Sequence, residues 1–197
     1  MEGEGTSGSG VKFLVGKTAG VSGLIAAFVA THVATISGLW FDGARLPKFD
    51  FPTLNGWLYL GFSRPPEVIF VVGGVMHYID GMLFGLIFAL VVHPMLGRVV
   101  KPLAPLTPTV NYLKGLIWGW TLWIISSALW MPLLIGPLFG PGSVGPFLTS
   151  FGTFGVQALF SNLLWHTIYG LNLGLLFSPT VASGARGWTR ATPMGMR

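Results

Sequence analysis

Four long apolar stretches constrain the fold of this 197-residue chain more than any other feature. They cover residues 11–40, 67–92, 110–134 and 147–177. A helix needs roughly 20 mostly apolar residues to cross a bilayer, and each stretch is long enough. None alternates apolar and polar residues with the period of two that a strand requires. The sequence therefore predicts an all-α integral membrane protein with four transmembrane helices.

The scarcity of charge supports this prediction. Charged residues make up 9% of the chain, whereas a soluble domain carries about a quarter. Such a chain cannot cover a water-facing surface, which excludes an ordinary soluble enzyme and a disordered protein. There is no cysteine, which excludes zinc–thiolate and iron–sulfur sites and a catalytic thiol. The net charge of +5 comes from basic residues that do not cluster, so no nucleic-acid partner is predicted.

The basic residues predict how the chain is oriented in the membrane. Cytoplasmic loops of membrane proteins carry an excess of lysine and arginine. With the N-terminus inside, eight of the eleven basic residues fall on the inner side, and the outer side holds Arg45, Lys48 and Arg64. We therefore expect both termini in the cytoplasm, with the bacterial inner membrane as the location. The eight inner residues are Lys12, Lys17, Arg98, Lys101, Lys114, Arg186, Arg190 and Arg197.

An internal repeat divides the chain into two similar halves. The pattern His-x3-Gly-x3-Gly-x2-Phe begins at His77 in the second predicted helix and again at His166 in the fourth. The segments 37–40 and 127–130 also match, at an offset of 90 residues. A two-helix unit repeated once gives two halves with the same orientation, which predicts a pseudo-twofold axis along the membrane normal.

This repeat sets the predicted domain organisation. Each half is a two-helix unit, and the helix hairpin of the first unit encloses a long aromatic loop on the outer side. The predicted segments are a flexible leader at 1–10, a first unit at 11–97 with its outer loop at 41–66, a cytoplasmic proline-rich loop at 98–109, a second unit at 110–177 and a basic tail at 178–197.

Small residues follow the two histidines at four-residue spacing. Residues four apart lie on one face of a helix, and small residues there let two backbones approach closely in a membrane. We therefore expect a packing face that joins the second and fourth predicted helices. Its glycines are Gly73, Gly81, Gly85, Gly170 and Gly174.

Asp80 is the only carboxylate that falls clearly at bilayer depth, and it lies three residues after His77. Ionisable groups inside a membrane are costly and are functional by default. The spacing places Asp80 and His77 on adjacent parts of one helix surface, so they form a candidate proton or polar relay. A plain polar bridge between helices is the alternative interpretation.

The histidines are also candidate cofactor ligands. His77 and His166 are expected at similar depth, each with a glycine one turn away, and His32 of the first helix falls at about the same level. Two histidines on facing helices can ligate a b-type haem, and one can ligate a chlorophyll-type pigment. Bound lipid is expected as well, and no metal site is predicted.

No motif in the chain defines a reaction. Phosphate-binding loops, nucleotide-binding glycine patterns, nucleophile elbows and zinc-protease signatures are all missing from the sequence. The leading hypothesis is a non-catalytic subunit of a larger membrane complex of the respiratory, photosynthetic or membrane-oxidase type. Its partners would be other integral membrane subunits and lipid, in a hetero-oligomer. The alternatives are a small haem- or pigment-binding electron-transfer subunit using His77 and His166, and a proton-coupled transporter using Asp80 and His77.

Overall fold

The fold was obtained as a computed structural model that describes residues 8–105, 107–140, 144, 145, 147 and 155–178, with side chains described from residue 18 onwards. Within these residues the secondary structure is helical and contains no strand. Most of the predicted leader, the predicted tail beyond residue 178 and the first part of the fourth predicted helix lie outside the described residues.

Six α-helices form the described part of the chain, and two of them continue into wider π-helical turns. The elements in order are α1 (Gly8–Leu39), a 3₁₀ turn (Phe41–Ala44), α2 (Phe51–Leu60), α3 (Pro66–Ile87), a π segment (Phe88–Val92), α4 (His93–Val99), a 3₁₀ turn (Lys101–Leu103), α5 (Pro108–Ile125), a second π segment (Ser126–Ile135), a 3₁₀ turn (Gly136–Phe139) and α6 (Gly155–Leu176).

Three helical stretches within the described residues are long and apolar enough to cross a membrane, namely Thr18–Leu39, Pro66–Val99 and Pro108–Phe139. The mean hydropathy of their most apolar windows lies between 1.7 and 2.0. Length and composition thus fit a multi-pass integral membrane protein. The helix α6 is 22 residues long and is not among the three, because its sequence includes buried polar residues such as Ser161 and Asn162.

The long helices pack side by side in the order α3, α1, α6, α5. The core of α1 consists of alanines, and Ala27, Ala30 and Ala34 are each fully buried. Small side chains let the neighbouring helices approach closely on both sides of α1. The two outermost helices of this order, α3 and α5, are joined where the Trp118 indole donates to the Phe84 carbonyl (3.2 Å).

The predicted packing glycines do lie at helix contacts, but their partners differ from those expected. A methyl group at Gly81 would meet Thr31 of α1, and one at Gly85 would meet Ala27 of α1. On α6, a methyl group at Gly170 would meet Gly119 of α5. The expected direct crossing of α3 and α6 through these glycines is therefore not what the structure contains. Glycine spacing predicts a close contact without specifying which helix fills it.

The segment predicted as an outer loop contains the helix α2. Its first turn is capped by the Asp50 carboxylate, which accepts from the Thr53 amide (3.0 Å). The helix packs tightly on α3, because Gly56 and Gly73 bring the two backbones together and Pro52 lies against Gly73. Phe49 and Phe51 of this segment are thus buried against the bundle, whereas Tyr59 and Phe62 are exposed.

Candidate functional site

A cavity of about 80 Å³ lies between α2, α3, α5 and α6. One water needs roughly 10–15 Å³ of such space, so the cavity has room for a small ligand or a few waters. Aromatic rings form much of its wall, and polar groups enter from three helices. The lining residues are Phe51, Asn55, His77, Asp80, Gly81, Phe84, Leu122, Ile125, Ser126, Trp130, Trp165, His166 and Tyr169.

The cavity brings together three titratable residues that the sequence singled out. His77 and Asp80 reach it from α3, and His166 reaches it from α6. Both histidines are 5% exposed, whereas Asp80 is half-buried. Their convergence on one cavity is the main feature of the site.

Asp80 is held by Asn55 of α2. The Asn55 side-chain amide donates to Oδ2 of Asp80 (3.0 Å). The Asn55 side chain is 2% exposed, and its oxygen Oδ1 accepts no hydrogen bond from the described residues. A buried acceptor without a donor is costly.

The hydrogen bonds of His77 determine which of its nitrogens carries the proton. The Thr35 hydroxyl donates its single hydrogen to the Thr31 carbonyl (2.7 Å), so it can only accept from Nε2 of His77 (3.0 Å). In the neutral ring, Nδ1 of His77 is then an acceptor. No donor to that nitrogen is present among the described residues.

In His166 the ring nitrogen that donates is Nδ1, whereas in His77 it is Nε2. Its Nδ1 lies 2.9 Å from the Asn162 carbonyl, which can only accept, so Nδ1 donates. The neutral ring therefore has an acceptor at Nε2, and this nitrogen also has no donor within the described part of the chain. Each neutral ring thus keeps one acceptor nitrogen, whereas the surface of the cavity that both histidines line is mostly apolar.

Aromatic rings fix both imidazoles in place. The Phe51 ring stacks on His77, with centroids 5.3 Å apart and planes 7° from parallel, and meets His166 edge-on at 5.9 Å. The Trp165 ring contacts His77 at 5.4 Å and His166 at 5.0 Å. Phe51 and Trp165 therefore occupy space beside both histidines.

This arrangement does not fit the bis-histidine haem site proposed from the sequence. Such a site needs both imidazoles free to bind one iron on the two sides of a porphyrin. Nε2 of His77 is bound to Thr35, and Phe51 and Trp165 pack against both rings.

His32 is not brought together with the other histidines. Its side chain is exposed on the surface of α1 and is hydrogen-bonded to the Tyr78 hydroxyl through Nδ1. The described residues also contain no group of three histidine, aspartate or glutamate side chains that is arranged to hold a metal ion.

The sequence reasoning missed Asn55, Phe51 and Thr35. Thr35 was visible as a polar residue in an apolar helix, five residues before the end of the first predicted stretch. Asn55 and Phe51 gave no comparable signal, because they lie in a segment whose helix and docking position depend on contacts with α3.

A second polar cluster lies at the opposite end of the bundle. Nε2 of His93 is 2.8 Å from the Asn111 side-chain oxygen and 3.4 Å from Nζ of Lys114. The Lys114 side chain is 1% exposed. His93 is 5% exposed and packs against the rings of Phe88 and Phe177. None of these residues lines the cavity described above.

Comparison of the chain with protein-family models, with curated proteins and with solved structures finds no match. The class of protein that the fold defines is a helical, multi-pass integral membrane protein. Its function has to be inferred from the geometry of the cavity.

Proposed function

We propose that α6 is a fourth transmembrane helix and that both termini lie on the cytoplasmic side of a bacterial inner membrane. The helix α6 packs between α1 and α5, and its 22 residues match the length of a span. Its polar residues Ser161, Asn162 and His166 face inward, away from lipid. The excess of basic residues at the α4 end of the bundle supports the cytoplasmic assignment.

The contacts within the two helix pairs support the proposed repeat. Gly81 and Gly85 of α3 face Thr31 and Ala27 of α1, and the residues 89 positions later, Gly170 and Gly174, face Gly119 and Gly115 of α5. In both pairs the equivalent positions approach each other. A pseudo-twofold axis along the membrane normal would relate the pairs.

The absence of native cysteine makes the topology simple to test. We expect an impermeant maleimide to label Ser63→Cys, next to α2, in intact cells. We expect Ala104→Cys, in the turn after α4, to be labelled only after the membrane is opened. Labelling of both variants in intact cells would contradict the proposed orientation.

We infer that the protein is a proton-coupled carrier for a small polar solute, and that Asp80 and His77 take part in the coupling. The observation that carries this proposal is the cavity, since it gathers Asp80, His77 and His166 within an apolar bundle. A carboxylate at bilayer depth needs a counter-charge, which either a proton or a bound cation supplies. Loss or gain of a proton at Asp80 would then accompany movement of the solute.

The test is proton movement in proteoliposomes that contain the purified protein and a trapped pH dye. We expect Asp80→Asn to abolish solute-driven proton movement while the protein remains folded, because the amide cannot bind and release a proton in this range. Glu67→Gln, an exposed carboxylate at the start of α3, is the matched control and should behave like the unchanged protein. Equal proton movement in Asp80→Asn would remove the proposal.

A second candidate is the accessory-subunit role in a larger membrane complex of the respiratory, photosynthetic or membrane-oxidase type. The observation that favours it is an aromatic cluster formed by Trp57, Phe62 and Phe139, in which the ring centroids lie 5.3–5.6 Å apart. Phe62 and Phe139 are 51% and 43% exposed, and such a surface suits contact with another membrane subunit or with lipid. Gentle solubilisation followed by mass spectrometry would identify stoichiometric partner subunits, and a lone protein would contradict this role.

A further inference from the structure

We propose that two copies of this chain associate in the membrane through the outer face of α1, with His32 and Tyr78 at the centre of the interface. The association does not depend on whether the cavity carries a solute. Three observations support it, namely an exposed polar pair at bilayer depth, the hydrogen-bonding capacity of that pair and the spacing of the exposed residues around it.

His32 and Tyr78 form a polar pair on the surface of α1 and α3. Nδ1 of His32 is hydrogen-bonded to the Tyr78 hydroxyl, and the His32 side chain is exposed. Trp40, eight residues later and just after the end of α1, is also exposed and suits the membrane interface. At a rise of about 1.5 Å per residue, Cα of His32 lies roughly 12 Å inside that interface, at the depth of the lipid chains.

The pair keeps one unused donor and one unused acceptor, whichever ring nitrogen carries the proton. If the Tyr78 hydroxyl donates to Nδ1, Nε2 of His32 carries a hydrogen and the tyrosine oxygen can still accept. If Nδ1 donates instead, the hydroxyl keeps its hydrogen and Nε2 accepts. Neither side chain has another hydrogen-bond partner among the described residues. Open polar groups are costly in hydrocarbon, so such groups are normally covered by protein.

A second copy of the chain satisfies this pair, because the pair is complementary to itself. All copies insert in the same orientation, so a twofold axis along the membrane normal relates two of them and keeps both pairs at one depth. The free donor of each pair then meets the free acceptor of the other, and four side chains close a ring of hydrogen bonds. A different subunit would need its own matched donor and acceptor at that depth, whereas a second copy has both.

The exposed residues of α1 form one continuous strip through His32. The steps along this strip are four, three, four and four residues. Steps of three and four residues place side chains along one seam, as in helices that pack side by side. The Phe28 ring packs on the Tyr78 ring, with centroids 5.3 Å apart, and so supports the polar pair from within the strip. The strip consists of Val21, Ile25, Phe28, His32 and Ile36, with Val29 beside it.

The first experiment places a single cysteine on the strip, which the cysteine-free sequence allows. We expect Ile36→Cys, one turn before Trp40, to form a disulfide between two copies when membranes of the expressing cells are oxidised with copper phenanthroline. Ile124→Cys is the matched control, because Ile124 is 50% exposed against 46% for Ile36 and lies on α5, which α6 separates from α1. Equal cross-linking of the two variants would overturn the proposal, as would cross-linking of Ile36→Cys to another protein in place of a second copy.

The second experiment measures how strongly the full chain associates in liposomes, by energy transfer between copies labelled at Ser63→Cys and diluted stepwise in lipid. We expect His32→Phe to weaken the dimer by about 10-fold, because it removes two interhelical hydrogen bonds. Tyr78→Phe should weaken it to a similar degree, since each hydroxyl takes part in the same ring. Tyr112→Phe, at an exposed tyrosine of α5, should leave the affinity unchanged. A monomer at every dilution, or an unchanged affinity for His32→Phe, would overturn the proposal.

The double variant His32→Phe/Tyr78→Phe tests whether the two side chains act as one network. Each single substitution already breaks the ring, so the double variant should dimerise about as weakly as either single variant. Losses that multiply would mean that the two residues act independently and would overturn the ring. If a variant does not fold, the cross-linking of Ile36→Cys against Ile124→Cys decides. Failure of the dimer leaves the carrier function standing, since neither His32 nor Tyr78 lines the cavity.

Discussion

The helix pair α1/α3 and the helix pair α5/α6 solve the same packing problem in different ways. In α5/α6 the contact is backbone against backbone, since Gly115 and Gly119 of one helix face Gly170 and Gly174 of the other. In α1/α3, α1 presents the side chains of Ala27 and Thr31 to Gly85 and Gly81 of α3, and Gly23 adds a backbone approach to the Gly85 carbonyl. The α1/α3 pair is thus joined in part through side chains that can adjust, whereas the α5/α6 pair is joined at these positions through main chain.

The positions one turn before the histidines differ as well. Gly73 of α3 has no side chain, and this lets α2 dock with Pro52 and Gly56 against it. The position 89 residues later is Asn162, which is fully buried and donates to the Ser127 hydroxyl (3.0 Å). Within the residues that the structure describes, the helix docked in this way is α2 on the first pair, and it brings Asn55 to Asp80. The chemistry of the cavity depends on this difference.

The largest expected effect on stability is at Gly170 in the α5/α6 contact, compared with Gly81 in the α1/α3 contact. A methyl group at Gly170 would lie 2.5 Å from the Gly115 carbonyl and 2.9 Å from Cα of Gly119, so Gly170→Ala should lower the free energy of unfolding by about 3 kcal/mol. Gly81→Ala should cost less, because the obstacle is the Thr31 side chain. Unfolding in mixed micelles, followed by circular dichroism, measures both.

A double variant tests the reason for that difference. Thr31→Gly should restore stability to Gly81→Ala, despite the intrinsic cost of about 1 kcal/mol for a helical glycine, because it makes the first contact resemble the second. Gly74→Ala is the control, since its added methyl group meets nothing closer than the Pro52 side chain at 3.9 Å. If the Gly170→Ala protein were as stable as the Gly74→Ala control, the α5/α6 contact would not be the rigid one.

A smaller effect is expected at Asn162. Its amide donates to the hydroxyls of Ser127 (3.0 Å) and Ser126 (3.4 Å), all fully or nearly fully buried. Asn162→Ala leaves these hydroxyls without that donor and should lower the free energy of unfolding by about 2 kcal/mol. The control is Asn172→Ala, because Asn172 donates only to Ile168 of its own helix and is half-buried. Equal losses of unfolding free energy in the two variants would show that the polar contact between α6 and the π segment stabilises the protein no more than a hydrogen bond within one helix does.

The smallest expected effect concerns one of the hydrogen bonds that link the two pairs. Tyr169 is 1% exposed and its hydroxyl donates to the Gly81 carbonyl of α3 (2.8 Å). Tyr169→Phe should cost about 1 kcal/mol of unfolding free energy, the usual net value of one hydrogen bond. Tyr112→Phe, at a tyrosine that is 38% exposed, should cost less in the same unfolding measurement. An unchanged stability for Tyr169→Phe would mean that other contacts hold the pairs together.

The sequence alone predicts the long helices and part of the cavity. Apolar length is a local property, so the three helices that are long and apolar enough to cross a membrane follow directly from hydropathy. The scarcity of charged residues pointed to Asp80, and the repeated His-x3-Gly-x3-Gly pattern pointed to His77 and His166. All three residues line the cavity. Whether these residues bind anything stays a prediction.

What the sequence could not supply depends on long-range contacts. The helix α2 is ten residues long, and its position is set by the docking of Gly56 on Gly73 of α3. The hydrogen bond from Asn55 to Asp80 follows only from that docking. In the same way, the helix that packs against each row of glycines could not be predicted, because a small residue lets any neighbouring helix approach closely.

The residue spacing between matching positions of the two helix pairs changes near the start of the π segment Ser126–Ile135. Up to this point, contact positions on α1 and α5 are 88 residues apart, as with Ala27 and Gly115. The matching segments 37–40 and 127–130 are 90 residues apart. The change coincides with the start of the wider turns, which take up additional residues without breaking the helix. Ser126, the first residue of the π segment, lines the cavity, so the wider turns begin at the cavity wall.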